Sequence, residues 1–315
     1  MRSGLKHFNF DHDHNNMSLQ FLKRINLGLT QSKSRVQFES LGLRTGLRKV
    51  QTNSDKRESV KDQTFNLSEH TKSDVKHHSN LAIDWWNVTG PMRALHSYNK
   101  LRVPFICDGL QRQGKLLSVD NASQEILKNQ KILEIGCGGG ILTENLASLG
   151  ANVTGLDLSE NLIALAQGHL SQQPKLLPRI QYRREPIELH AHAKENFYDA
   201  VVISEVLEHI DDKISFLTSS ISTVKPGGSI FITTLNKTIS MWLVGVLFGE
   251  YVLQSIPIGT HQYNKMISPA DVERILKTMN CDTVLIRGSS YNFFRNTWRW
   301  TDSTSMFYAL HAVKK

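Results

Sequence analysis

From Gln130 to the end of the chain, short apolar runs alternate with stretches whose apolar residues recur at helical spacing. KILEIG (131–136) reads as a buried strand, and ILTENLASLG (141–150) as a helix ended by Gly150. ANVTGLDLS (151–159) and NLIALAQGHL (161–170) repeat the pair, and IQYRREP (180–186) is a third, more polar strand. YDAVVISEVLEH (198–209) runs from strand straight into helix. A further helix over 212–224 stops at KPGG, a turn signal. SIFITTLN (229–236) is the fifth strand. SPADVERILKTM (268–279) is a helix with Ser268 at its N-cap and Pro269 at its first position. DTVLIRG (282–288) and MFYALHAVKK (306–315) close the pattern as strands. Such alternation predicts an α/β, Rossmann-like fold: a seven-stranded, mostly parallel sheet with helices on both faces.

The first 70 residues show no persistent apolar period and predict a disordered basic segment ahead of one folded domain over 71–315. The stretch 17–50 holds seven Lys or Arg and a single acid, Glu39, and is rich in Ser and Leu. That composition is the mark of a mitochondrial transit peptide, with Met17 as the expected start. Much of the net charge of +8 therefore belongs to the front of the chain. No basic patch interleaved with aromatics and no zinc spacing points to nucleic acid. Cys107, Cys137 and Cys281 are scattered and odd in number, which suits a reducing compartment rather than a disulfide framework.

LEIGCGGG (133–140) is a strand, a glycine-rich turn and the start of a helix. A turn of this kind lets backbone approach a ligand where Cβ atoms would intrude, and a helix N-terminus offers free N–H groups beside it. The spacing is Gly136-x-Gly138-x-Gly140, not the G-x-G-x-x-G that closes a helix on a pyrophosphate, which argues against a dinucleotide oxidoreductase. Asp157 follows at the tip of the second strand, where a carboxylate can take both hydroxyls of a ribose. A ribose-reading acid without the pyrophosphate glycine points to S-adenosylmethionine (SAM). Glu205, Glu208 and His209 follow the fourth strand. At i, i+3 and i+4 of a helix they would share one face at the ligand edge of the sheet. Such a trio suits Mg²⁺ or Mn²⁺ better than Zn²⁺. Equally, the acids can cap the helix N-terminus, and His209 can serve as a general base.

In order along the chain, WW…G…LH…N-x-LR, GCGGGIL, GANVTGLD, EVLEH, VKPGG, TLN and GTH resemble the ubiquinone-biosynthesis O-methyltransferases, a family of class I SAM-dependent enzymes. The resemblance covers roughly residues 80–315. It implies SAM contacts at Arg102, Gly136, Gly138, Asp157 and Ser204, with Arg102 on the methionine carboxylate. It also implies Glu205, Glu208 and His209 as Mg²⁺ ligands. The implied reaction is methylation of catechol-type hydroxyls on polyprenylated benzoate and quinol precursors of ubiquinone. The implied setting is a biosynthetic protein complex on the matrix side of the mitochondrial inner membrane. Two departures stand out: Lys100 replaces a common proline, and WWNVTG lacks the acids often found beside the tryptophans.

One segment remains. The run 239–253 carries a single charge, Glu250, among Met, Trp, Leu, Val, Phe and Tyr, yet is shorter than the roughly 20 residues a bilayer span needs. It lies within an insert, 237–261, between the fifth strand and the next helix. A polyprenyl tail lives in the bilayer, so the expectation is a peripheral lid that dips into the membrane surface. A buried core helix is the competing expectation. A methyltransferase for a soluble phenolic, and a non-catalytic scaffold that keeps the fold, are the competing functions.

Overall fold

The structure, a computed structural model, describes residues 84–114, 125–241 and 265–315, together with Val75. They belong to one compact unit, Leu67–Lys315. The transit-peptide expectation and nearly all of the apolar insert, including Trp242, Leu243 and Phe248, lie outside the described residues.

The chain enters through helix α1 (Arg93–Arg112). The alternating core follows as β1 (Lys131–Ile135), α2 (Ile141–Ser148), β2 (Asn152–Asp157), α3 (Glu160–Ser171) and β3 (Ile180–Arg184). Next come α4 (Ile187–Ala193), β4 (Tyr198–Ser204), α5 (Lys213–Ser222) and β5 (Val224–Leu235). The closing elements are α6 (Pro269–Thr278), β6 (Cys281–Asn292), β7 (Thr297–Thr301) and β8 (Phe307–Lys314). The sheet order is β3-β2-β1-β4-β5-β8-β6-β7. The first five strands run parallel, and β8 lies antiparallel between β5 and β6.

Among the described residues eight strands form rather than the seven expected. The extra one, β7, pairs Trp298 with Tyr291 and Arg299 with Ser290 across a hairpin. Its T-W-R-W-T alternation is a two-residue period, the signature of a strand with unlike faces. KPGG departs from the expected turn as well: it sits inside β5, whose pairing with β4 shifts register between Tyr198 and Ala200.

Adjacent positions of β1, β4 and β5 (Ile132 and Leu133, Val201 and Val202, Ile230 and Phe231) are all at most 2% exposed. A strand buried at consecutive positions has both faces covered, as parallel strands between helical layers require. Side chains start the helices where the sequence places them. Ser159 accepts from Leu162 N at 3.2 Å, Asp212 from Ser215 N at 3.0 Å and Ser268 from Asp271 N at 3.2 Å.

The strand order reverses between β1 and β4, so the loops after them diverge and open a crevice at the carboxyl edge of the sheet. Helix α1 is held close to that edge. Its Tyr98 stacks on Trp298 at 4.0 Å, and its Phe105 meets Phe231 edge-on at 5.7 Å.

Gly109 permits this approach, since a Cβ there would sit 2.5 Å from the Phe231 ring, itself stacked on buried His311 at 4.5 Å. In an open helix Gly→Ala gains about 1 kcal/mol. Here overpacking, typically about 1–3 kcal/mol, should win. Gly109→Ala is therefore expected to lower the thermal unfolding midpoint; an unchanged or raised midpoint would contradict this packing.

Candidate active site

The crevice is built from four chain segments. The turn after β1 carries Gly136 and Gly138 at φ 73° and 53°, left-handed values that glycine adopts without strain. Asp157 ends β2 and faces that turn: one carboxylate oxygen accepts from Gly138 N at 2.9 Å, the other from Ser159 N at 2.8 Å. Burial raises its pKa, and these backbone donors oppose the rise. Each oxygen keeps a further lone pair for a ligand hydroxyl.

Arg102, from α1, is fully buried and reaches across to β4. Its Nη1 donates to Ser204 Oγ at 2.8 Å, its Nε to Asn99 Oδ1 at 3.1 Å, and its Nη2 to Leu95 O at 3.1 Å and to Asn99 Oδ1. Ser204 Oγ is in turn 2.7 Å from Thr233 Oγ1. The structure thus joins Arg102 to Ser204, two residues 102 positions apart that the resemblance named separately as cofactor contacts. The guanidinium fork is largely occupied by the protein, however. A two-pronged grip on a carboxylate would require exchange with Ser204 or Asn99.

Glu134, absent from the sequence-based site, sits at 4% exposure on β1 and accepts from Thr143 Oγ1. Burial raises its pKa to about 7, against the lowering pull of Thr143 and Arg102. Its signal in the sequence is an acid inside an apolar strand that leads into the glycine turn.

The acidic trio is arranged differently from expectation. Glu205 leaves β4 at φ 57°, with its N–H still donating to Thr233 O at 2.8 Å, so the sheet ladder continues where a helix was expected. Only a single 3₁₀ turn follows, Leu207–His209, before Asp212 caps α5. Glu205, Glu208 and His209 therefore do not share an α-helical face. Glu208 accepts from Thr234 Oγ1 at 2.7 Å, whereas Glu205 Oε1 is buried with no hydrogen-bond partner. Burial, then the neighbouring Glu208, push the Glu205 carboxyl up to about 8, although Arg102 pulls it down. Among the described residues no group of three or more His, Cys, Asp or Glu stands close enough to hold one metal ion. As placed, the trio does not form the expected Mg²⁺ site.

Of two tryptophans read in the sequence only as part of a motif, Trp85 roofs the glycine turn. Trp85 packs over Gly138 and Gly139, and Trp86 stacks on His169 at 3.5 Å. His169 is held in turn by Glu144 at 2.9 Å.

A family profile described as a methyltransferase domain matches residues 98–286. The rat mitochondrial ubiquinone biosynthesis O-methyltransferase is 42% identical over 241 residues, 76% of this chain and 69% of that protein. The Pelagibacter ubique ubiquinone biosynthesis O-methyltransferase is 33% identical over 243 residues, 77% of this chain and 98% of that protein. The chain belongs to the ubiquinone biosynthesis O-methyltransferase family. It is accordingly a methyltransferase. The human member is 42% identical, and the chain spans 64% of its length. Eukaryotic members carry the designation mitochondrial, which places this chain in the mitochondrion. Among solved structures, magnesium protoporphyrin IX methyltransferase from Synechocystis PCC 6803 with bound SAH shares the fold. The TM-score is 0.54 at 16% identity, covering 78% of this chain and all of that one.

The Glu134 shift has a consequence for stability. A folded pKa of about 7, raised above an unfolded value near 4.5, gives a contribution that is full below about pH 4.5 and lost as pH rises through 7. Glu134→Gln removes that dependence. Its unfolding midpoint should exceed the wild type's by several degrees at pH 8, and the gap should close toward pH 5. A gap independent of pH would contradict the assignment.

Proposed function

We propose that this chain transfers the methyl group of SAM to a catechol-type hydroxyl of a polyprenylated precursor of ubiquinone. The observation that carries the reading is the convergence at the β1/β4 crevice. The glycine turn, Asp157, the Arg102–Ser204 pair and the partnerless Glu205 oxygen meet there from four separate segments.

In this reading Gly136 and Gly138 admit the cofactor to the backbone, Asp157 takes the ribose hydroxyls, and Arg102 and Ser204 orient the methionine end. Bound SAM supplies an electrophilic methyl group. The protein's task is to hold the acceptor oxygen in line with that methyl and to receive its proton. A phenol has a pKa near 10 and is a poor nucleophile until that proton is taken. Glu205 Oε1 can accept a hydrogen bond from the acceptor hydroxyl, with His209 as the alternative base. Glu208, tied to Thr234, holds the wall.

The membrane side rests on two observations. The insert is apolar in sequence, and the described residues at its root leave Ile239 69% exposed. Beyond the end of β6, on that same edge, Phe294 is 91% exposed beside Arg295. An aromatic with a neighbouring cation suits an anionic bilayer surface. Both features support a peripheral position on the matrix face of the inner membrane, where the other enzymes of the route are potential partners. Among the described residues, no helix is long and apolar enough to cross a membrane.

Titration calorimetry with SAM, followed by methyl transfer to prenylated and to short soluble catechols, tests the reading. Asp157→Ala should weaken SAM binding at least tenfold, because charge-assisted hydrogen bonds are worth about 1.5–3 kcal/mol each. Unchanged affinity in the folded variant would move the ribose contact elsewhere. Activity that survives excess chelator would remove the metal from the chemistry.

A combined Trp242, Leu243, Phe248 and Phe294 replacement by Ser should abolish liposome flotation and turnover of the prenylated substrate while sparing the soluble one. Loss of both activities with a collapsed melting midpoint would instead make the insert a core element.

A further inference from the structure

We infer that Trp85 is a cofactor-binding residue: its indole N–H is a hydrogen-bond donor held for the ribose end of bound SAM. The inference rests on the SAM reading and adds a contact to it.

Trp85 is 5% exposed, and its Nε1 is buried with no hydrogen-bond partner. A buried donor left unpaired costs about 1–3 kcal/mol, so it calls for an explanation. Its location supplies one. A Cβ built on Gly138 would come within 2.4 Å of the Trp85 ring; one on Gly139 would come within 2.5 Å of Cδ1 and 2.8 Å of Nε1. The indole therefore lies directly over the turn, its polar edge at Gly139 and its benzene ring at Gly138, whose N–H donates to Asp157.

Gly139 sharpens the point. Unlike Gly136, Gly138 and Gly140, it has no left-handed backbone, so its own conformation would accept a side chain. What leaves no room for one is the indole of Trp85. A glycine outside the alternate-glycine pattern is thus explained by the tryptophan above it.

The roof is also fastened. Trp85 O accepts from His96 Nε2 at 2.9 Å, and its ring packs with Ile141 and Leu162. The next residue, Trp86, is stacked on His169. A donor fixed on both sides and lacking a protein acceptor is preorganised for a ligand oxygen. Asp157 accepts from the ribose hydroxyls but cannot donate to them. Trp85 provides the complementary donor for a hydroxyl or ring oxygen of the same sugar.

Calorimetry on the full chain with SAM and with 5′-methylthioadenosine, which has the ribose but not the amino acid, separates the possibilities. Trp85→Phe keeps the ring and deletes the N–H. It should raise the dissociation constants of both ligands by about 5- to 10-fold, the effect of one hydrogen bond, with the melting midpoint retained. Trp86→Phe, which deletes the other buried and unpaired indole N–H away from the turn, should bind both ligands as the wild type does.

Wild-type affinity in folded Trp85→Phe overturns the inference. So does weakening of SAM alone, which would put the contact at the methionine end. Equal loss in both variants with lowered melting midpoints would make the roof structural, and also overturns it. Absence of SAM binding by the wild type would instead strike at the SAM reading itself. Should Trp85→Phe not fold, 5-fluorotryptophan labelling keeps the question open to test. The Trp85 fluorine resonance should shift on adding methylthioadenosine, and an unmoved resonance overturns the proposal.

Discussion

A buried cation fixes the architecture of the crevice. Arg102 lies out of water between α1 and β4, and burial works against its charge. Isolated in a protein interior, such a charge would be costly by several kcal/mol. Its hydrogen bonds to Ser204, Asn99 and Leu95 O, and the carboxylates of Glu205 and Glu134, offset that cost. The partners come from three places: α1 itself, the tip of β4, and β1. The ion therefore ties the helix that precedes the alternating core to the point where strand order reverses. Removing it would leave Glu205 and Glu134 as buried acids with nothing to balance them.

The same constraint explains why acids accumulate at the crevice without neutralising one another. Glu134, Asp157 and Glu205 all have raised pKa values, burial being the first cause in each. One resident cation cannot satisfy three carboxyl groups. The hydrogen bonds on Asp157 and Glu134 are internal, whereas Glu205 retains an oxygen with no partner. That asymmetry divides the crevice into a side complete in itself and a side open to an acceptor.

The alternating core was legible because buried parallel strands and capped helices leave local signals: consecutive apolar residues, Ser268 and the glycine turn. Family resemblance named Arg102 and Ser204 separately, but their join was not legible, since nothing local in either residue announces the other. The acidic trio misled for a physical reason. Helical spacing assumes a helix, and here the ladder bond from Glu205 N to Thr233 O holds the chain as strand for one residue more. Glu134 was hidden by its apolar neighbours. Trp85 was read as a motif letter because its meaning depends on Gly138 and Gly139, more than 50 positions away. β7 carried its alternating signal, but in a hairpin too short to stand out.

A crystal structure of the chain with SAH tests the central claim most directly. The account predicts density in the β1/β4 crevice, with ribose hydroxyls on Asp157, the homocysteine carboxylate at Arg102 and the sulfur turned toward Glu205. A ligand bound at any other edge of the sheet, or a ribose that leaves Asp157 bonded only to Gly138 and Ser159, would contradict it.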